Sequence, residues 1–87
     1  MTNKNTVLVT GASSGIGKET VKLLLEKGFS VYTAARRLEQ MEDLKEAGAK
    51  TVYLDISREE SIEELLSGIA AQGDTVDVLV NNAGYGL

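Results

Sequence analysis

The sequence predicts an α/β fold, a doubly wound parallel sheet with strand order 3-2-1-4, on three observations. Short β-branched apolar runs alternate with segments of helical periodicity in the order βαβαβαβ. Each connection between successive strands is long enough to hold a helix, which parallel crossovers require. A glycine-rich stretch separates the first strand from the first helix, where sheets of this kind open their ligand crevice.

Thr6 to Thr10 (TVLVT) is a β-branched apolar run ending at Gly11, the pattern of a strand buried on both faces. From Gly15 to Lys27 the positions Ile16, Val21, Leu24 and Leu25 share one helical face, and Gly28 closes the helix. Phe29 to Ala35 (FSVYTAA) predicts the second strand. Leu38, Met41, Leu44 and Ala47 recur every three residues before Gly48, which predicts a second helix with a narrow apolar stripe. Lys50 to Leu54 is the third strand, and Ser57 to Glu60 (SREE) predicts a capping box for the third helix. Ile62, Leu65, Leu66 and Ile69 form that helix's expected buried face, Gly68 within it is expected to mark close packing, and Gly73 ends it. Val76 to Val80 is the fourth strand and runs into Asn81-Asn82-Ala83-Gly84.

The 87 residues are 43 % hydrophobic and 25 % charged, with no cysteine, histidine, proline or tryptophan. That length predicts one small domain over 1–87, burying about 60–65 % of the surface its unfolded chain exposes. Without cysteine or histidine, disulfides, zinc sites and cysteine nucleophiles drop out, and no metal site is assigned. The net charge of -4 argues against nucleic acid as a partner. Its distribution is uneven: +1 over residues 1–44 and -5 over 45–87, so a small anion would meet the first half. Neither an apolar leader at the N-terminus nor a stretch of about 20 apolar residues is present, which predicts a soluble, cytoplasmic chain with no membrane contact.

The stretch Thr10-Gly11-Ala12-Ser13-Ser14-Gly15-Ile16-Gly17 separates the nucleotide-binding templates. A P-loop would need glycine at Ala12 and a hydroxyl at Glu19, and G-x-G-x-x-G would need glycine at Thr20. What remains is T-G-x-x-x-G-x-G. Gly11 permits a tight turn off the strand, Gly15 lets backbone approach a pyrophosphate, and Gly17 lets the helix lie close on the sheet. The loop resembles the cofactor loop of the short-chain dehydrogenase/reductase family. Asn81-Asn82-Ala83-Gly84 after the fourth strand and Leu54-Asp55-Ile56 after the third carry the same resemblance, which covers essentially the whole chain. It implies the N-terminal, Rossmann-like half of such an enzyme. The bland alternative is that the glycines merely close a compact strand-to-helix turn.

The resemblance implies a dinucleotide cofactor, with Gly11, Ser13, Ser14, Gly15, Ile16 and Gly17 around its phosphates; the two serines could equally cap the helix. In NAD-type sites an acidic residue about 20 positions beyond the glycines takes the ribose hydroxyls, whereas here the second strand ends Ala34-Ala35-Arg36-Arg37. A guanidinium meets a 2′-phosphate bidentately, and one such contact would favour NADP over NAD about ten- to a hundredfold. Arg36 is the first candidate and Arg37 the second, with solvated surface charges as the alternative. The resemblance also implies that Asp55, with Ile56 alongside, accepts a hydrogen bond from the adenine amino group. Asn82, Ala83 and Gly84 would pass the adenosine ribose, while Asn81 ties neighbouring strands together. Asp55 could instead only begin the turn into Ser57, and Lys18 reads as a surface charge.

Family enzymes transfer hydride with a serine and a Tyr-x-x-x-Lys pair. Here Arg36 stands four places after Tyr32, Ser57 four after Tyr53, and Tyr85 lies two residues from the end. Tyr32 and Tyr53 fall in strand patterns and read as core or edge aromatics. The expectation is therefore a truncated or engineered half of an NADP-dependent oxidoreductase that holds cofactor-binding elements and no catalytic ones. Three readings stay open: descent from an oxidoreductase of alcohols and ketones, a nucleotide-binding half domain without turnover, or a self-associating fragment. In the last, the uncovered edge of Val76 to Val80 would pair two copies into a homo-oligomer with one antiparallel junction.

Overall fold

Thr6–Thr10 (β1) is buried along its whole length, because it lies inside the sheet with apolar layers on both sides. In this computed structural model the structure describes residues 5–11, 15–55 and 57–81. The remaining elements are α1 (Gly15–Glu26), β2 (Ser30–Ala35), a 3₁₀ turn (Leu38–Met41), α2 (Glu42–Ala47), β3 (Lys50–Tyr53), α3 (Glu59–Ala71) and β4 (Val78–Asn81). The sheet has the predicted order β3-β2-β1-β4, and every pairing is parallel.

Alternation along β1 and β2 divides the interior in two. Val7, Val9 and Val31 point to the layer of α1 and α2, where Val21, Met41, Leu44 and Ala49 complete one core. Leu8, Tyr32 and Ala34 point the other way and meet Leu54, Leu65 and Ile69 under α3. A central parallel strand buried on both faces has no polar side to show, which is why TVLVT reads as one unbroken apolar run. Gly28, Gly48 and Gly73 follow the three helices with φ of 90°, 117° and 85°, the left-handed geometry that ends a helix.

Several local expectations need correction. The segment 38–47 is not one α-helix but a 3₁₀ turn followed by a short α-helix. Met41 and Leu44 reach the core, while Leu38 and Ala47 stay exposed. Ile16 does not join the buried face of α1; it is 78 % exposed. In α3 the inward residues are Ser61, Leu65 and Ile69, with Ile62 and Leu66 left at the flank. Gly68 is exposed, and a Cβ there would meet nothing within 4 Å among the described residues, so close packing against them does not explain it.

The capping box is absent as well. Helix α3 starts at Glu59 with Arg58 as its N-cap, and Arg58 makes no side-chain capping bond. The Ser57 amide and hydroxyl instead donate to Asp55 Oδ1, at 3.0 and 2.6 Å. A short acceptor two residues upstream captures the serine before it can serve the helix. The fourth strand starts at Val78 rather than Val76. The Thr6 amide donates to Asp77 Oδ2 at 2.8 Å, so a side chain takes the donor that a longer ladder would have used.

Candidate functional site

The C-terminal ends of the four parallel strands lie side by side. β1 ends at Thr10, its neighbour β4 at Asn81 in register with it, and β2 at Ala35 in register with Tyr53 of β3. The Thr10 hydroxyl donates to Asn81 Oδ1 at 2.9 Å, joining the ends of β1 and β4 in the role expected for Asn81. Gly11 turns the chain off β1 with φ 74° and donates its amide to Ala34 O at 3.2 Å. A side chain is strained in that left-handed conformation, which accounts for glycine there.

Gly15 has a different explanation. It is the first residue of α1, its φ is not positive, and a Cβ built on it meets nothing within 4 Å among the described residues. Neither backbone strain nor packing among the described residues requires glycine here. Gly15 is exposed, at the positive end of a 12-residue helix whose first turn holds no acidic residue. Gly17, in the same turn, is buried, as a helix lying close on its sheet needs. Lys18 is occupied elsewhere: its Nζ lies 3.2 Å from Asp43 Oδ1 on α2, and that ammonium holds the Asp43 carboxyl below the usual carboxylate range.

Beyond β2 and β3 stand the charged groups. Arg36 and Arg37 are exposed, and among the described residues neither guanidinium has a hydrogen bond or salt bridge. Leu54 donates its amide to Ala35 O at 3.0 Å, which brings the chain after β3 beside the end of β2. There Asp55 accepts the two bonds from Ser57, which hold its pKa below the usual carboxylate value; the Arg36 and Arg58 charges act in the same direction. Asp55 thus begins the turn toward α3, and it also shares its rim with the Arg36 charge. Sequence reasoning missed Ser61, which is buried and whose Oγ accepts the Asp55 amide at 2.9 Å. A lone serine six residues downstream gives no signal for that bond.

Ser13, Ser14, Ile56, Asn82, Ala83 and Gly84 lie outside the described residues. A cleft of about 370 Å³ runs from the strand ends at Thr10 and Asn81 down between α3 and β4, past Leu54, Leu66 and Leu79. Among the described residues no group of three or more acidic side chains could hold a metal ion, and no helix is long and apolar enough to cross a membrane.

The family model described as short chain dehydrogenase matches residues 5–86. Over 80 residues the chain is 41 % identical to a probable short-chain type dehydrogenase/reductase VdlC of Helicobacter pylori, covering 92 % of this chain and 30 % of that protein. It is 37 % identical over 84 residues to the NADP-dependent 3-hydroxy acid dehydrogenase YdfG of Escherichia coli, covering 93 % and 34 %. Among solved structures, an F189W actinorhodin polyketide ketoreductase with NADPH superposes with a TM-score of 0.84 at 39 % identity, over 94 % of this chain and 34 % of that one. The chain therefore spans about a third of the length of these relatives.

Proposed function

Because the chain belongs to the short-chain dehydrogenase family, we propose that residues 1–87 form its dinucleotide-binding portion, with a preference for NADP over NAD. The observation that carries this reading is the pair formed by an open Gly15 backbone at the α1 N-terminus and an Arg36 guanidinium with no salt bridge among the described residues. A nicotinamide dinucleotide fits these residues chemically, since it carries a pyrophosphate for the first and, in NADP, a 2′-phosphate for the second. When bound it supplies or accepts a hydride.

The helix end and the Gly15 amide hold the pyrophosphate, joined by the hydroxyls of Ser13 and Ser14 and the backbone of Ile16. Arg36, with Arg37 beside it, takes the 2′-phosphate through charge-assisted hydrogen bonds. Asp55, kept ionised by Ser57, accepts a hydrogen bond from the adenine amino group, with Ile56 alongside. Asn82, Ala83 and Gly84 line the ribose, on a strand end that Asn81 and Thr10 fix. The relatives named for NADP dependence or bound to NADPH support the choice of cofactor. Arg36 stands four places after Tyr32 and Ser57 four after Tyr53, and the residues named here are assigned binding roles. The reaction of the parent class would be hydride transfer between NADPH and an alcohol or ketone.

Parallel titrations of NADPH and NADH, followed by cofactor fluorescence, test the proposal. NADPH should bind about ten- to a hundredfold more tightly, and Arg36→Ala should abolish the difference while leaving NADH affinity unchanged. Equal affinities for the two cofactors in the unaltered chain would overturn the role of Arg36. Failure of both to bind would overturn the whole reading.

A further inference from the structure

Asp55 is held at three of its atoms. Its amide donates to Ser61 Oγ at 2.9 Å, its carbonyl accepts the Arg58 amide at 3.0 Å, and its Oδ1 accepts both bonds from Ser57. Oδ2 is left over: among the described residues it has neither a hydrogen bond nor a salt bridge.

The two serines differ in kind. Ser57 is exposed and two residues away, so its bonds make a local turn of the sort that aspartate commonly nucleates after a strand. Ser61 is 2 % exposed and stands on the inward row of α3, one and two helical turns before Leu65 and Ile69. Alanine in that row would have the higher helix propensity and no polar atom to bury. What the hydroxyl adds is a bond across the loop. Leu54 donates its amide to Ala35 O on β2, and the next amide, that of Asp55, goes to α3 through Ser61. The carboxylate is thereby fixed between the sheet and a helix.

Fixing it has a consequence for the base it meets. The exocyclic amino group of adenine donates hydrogen bonds. Hypoxanthine has the same ring shape but carries a carbonyl at that position and an N–H at the neighbouring ring nitrogen. A carboxylate oxygen facing the exocyclic position attracts the amine and repels the carbonyl. One able to slide sideways would meet the ring N–H instead and accept either base, so discrimination requires a carboxylate that cannot move.

We propose that Ser61 is a positioning residue for base recognition: buried and acting only through Asp55, it holds Oδ2 where it selects a base with an exocyclic amino group over its carbonyl counterpart. The inference rests on the dinucleotide site proposed above and deepens it. A serine that merely supported the start of α3 would alter stability and leave the choice of base unchanged.

The test compares NADPH with its hypoxanthine analogue, reduced nicotinamide hypoxanthine dinucleotide phosphate, each titrated by nicotinamide fluorescence. The unaltered chain should favour NADPH about ten- to a hundredfold, as one hydrogen bond to a charged group allows. Ser61→Ala should reduce that ratio to about threefold or less, while the preference for NADPH over NADH, which Arg36 sets, stays as it was. A variant that binds both analogues more weakly but in the unaltered ratio would overturn the proposal. Should Ser61→Ala not fold, hydrogen exchange in the unaltered chain decides: the Asp55 amide should exchange about a hundredfold more slowly than an open amide, and exchange at the open rate would overturn the proposal. A chain that binds neither nucleotide would overturn the dinucleotide site itself, whereas equal binding of both would overturn base selection and leave that site standing.

Discussion

The Tyr32 hydroxyl donates to Asp74 Oδ2 at 2.5 Å, tying a fully buried ring in the second strand to the loop that follows α3. Gln72 Oε1 lies 3.1 Å from the same hydroxyl, and Lys50 closes the group, with its Nζ 3.6 Å from Asp74 Oδ2 and 5.1 Å from the Tyr32 ring centroid. Burial raises the Tyr32 pKa first, and the bond to Asp74 adds to it; that same bond is the main reason the Asp74 pKa is lowered. The contribution of Asp74 is present above the unfolded carboxylate value of about 4 and lost as pH falls through its lower folded value. That of Tyr32 is present below about 10 and lost as pH rises through its higher folded value. Tyr32→Phe should cost about 1–2 kcal/mol at neutral pH, read from urea unfolding, and the cost should shrink toward both pH extremes. A cost that does not change with pH would separate the ring's packing from its hydrogen bond.

Thr33 makes the opposite case. Its side chain is fully buried in β2, and its hydroxyl has no partner among the described residues. Thr33→Val keeps the shape and removes a desolvated polar atom, so the variant should be more stable by about 1 kcal/mol. A lower denaturation midpoint would show that the hydroxyl is satisfied after all.

The architecture was legible because apolar periodicity reports burial directly: TVLVT read as a central strand, and the helical spacings placed all three crossovers. Side-chain competition was not legible. Ser57 and Glu60 satisfy the capping-box pattern, yet Asp55 takes the serine, a choice that depends on how the chain leaves β3. Periodicity also could not separate the inner face of α3 from its flank, since Leu65 and Leu66 are equally apolar and only the packing of Leu65 against Leu8, Tyr32 and Ala34 tells them apart. For the site, Gly11 and Gly15 look alike as letters, while the structure gives them different reasons: strain at one, openness at the other.

Gly68 lies within α3, and among the described residues nothing comes within 4 Å of a Cβ built on it. Gly68→Ala should therefore raise stability by about 0.5–1 kcal/mol through helix propensity alone. Measured destabilisation would mean that something outside the described residues approaches that helix face.

Gly15→Ala sets folding against binding at the same atom. Among the described residues nothing occupies the space its Cβ would fill, and the backbone is helical, so the added methyl should stabilise α1 by up to about 1 kcal/mol. A pyrophosphate seated on the α1 N-terminus would be pushed away by that methyl. Losing one hydrogen bond to a charged group, about 1.5–3 kcal/mol, would weaken NADPH binding about ten- to a hundredfold. Opposite movements of the melting temperature and the dissociation constant would identify the glycine as one kept for a ligand. If both improve or neither changes, the open backbone at Gly15 has no part in holding phosphate, and the glycines of the loop do no more than close a turn.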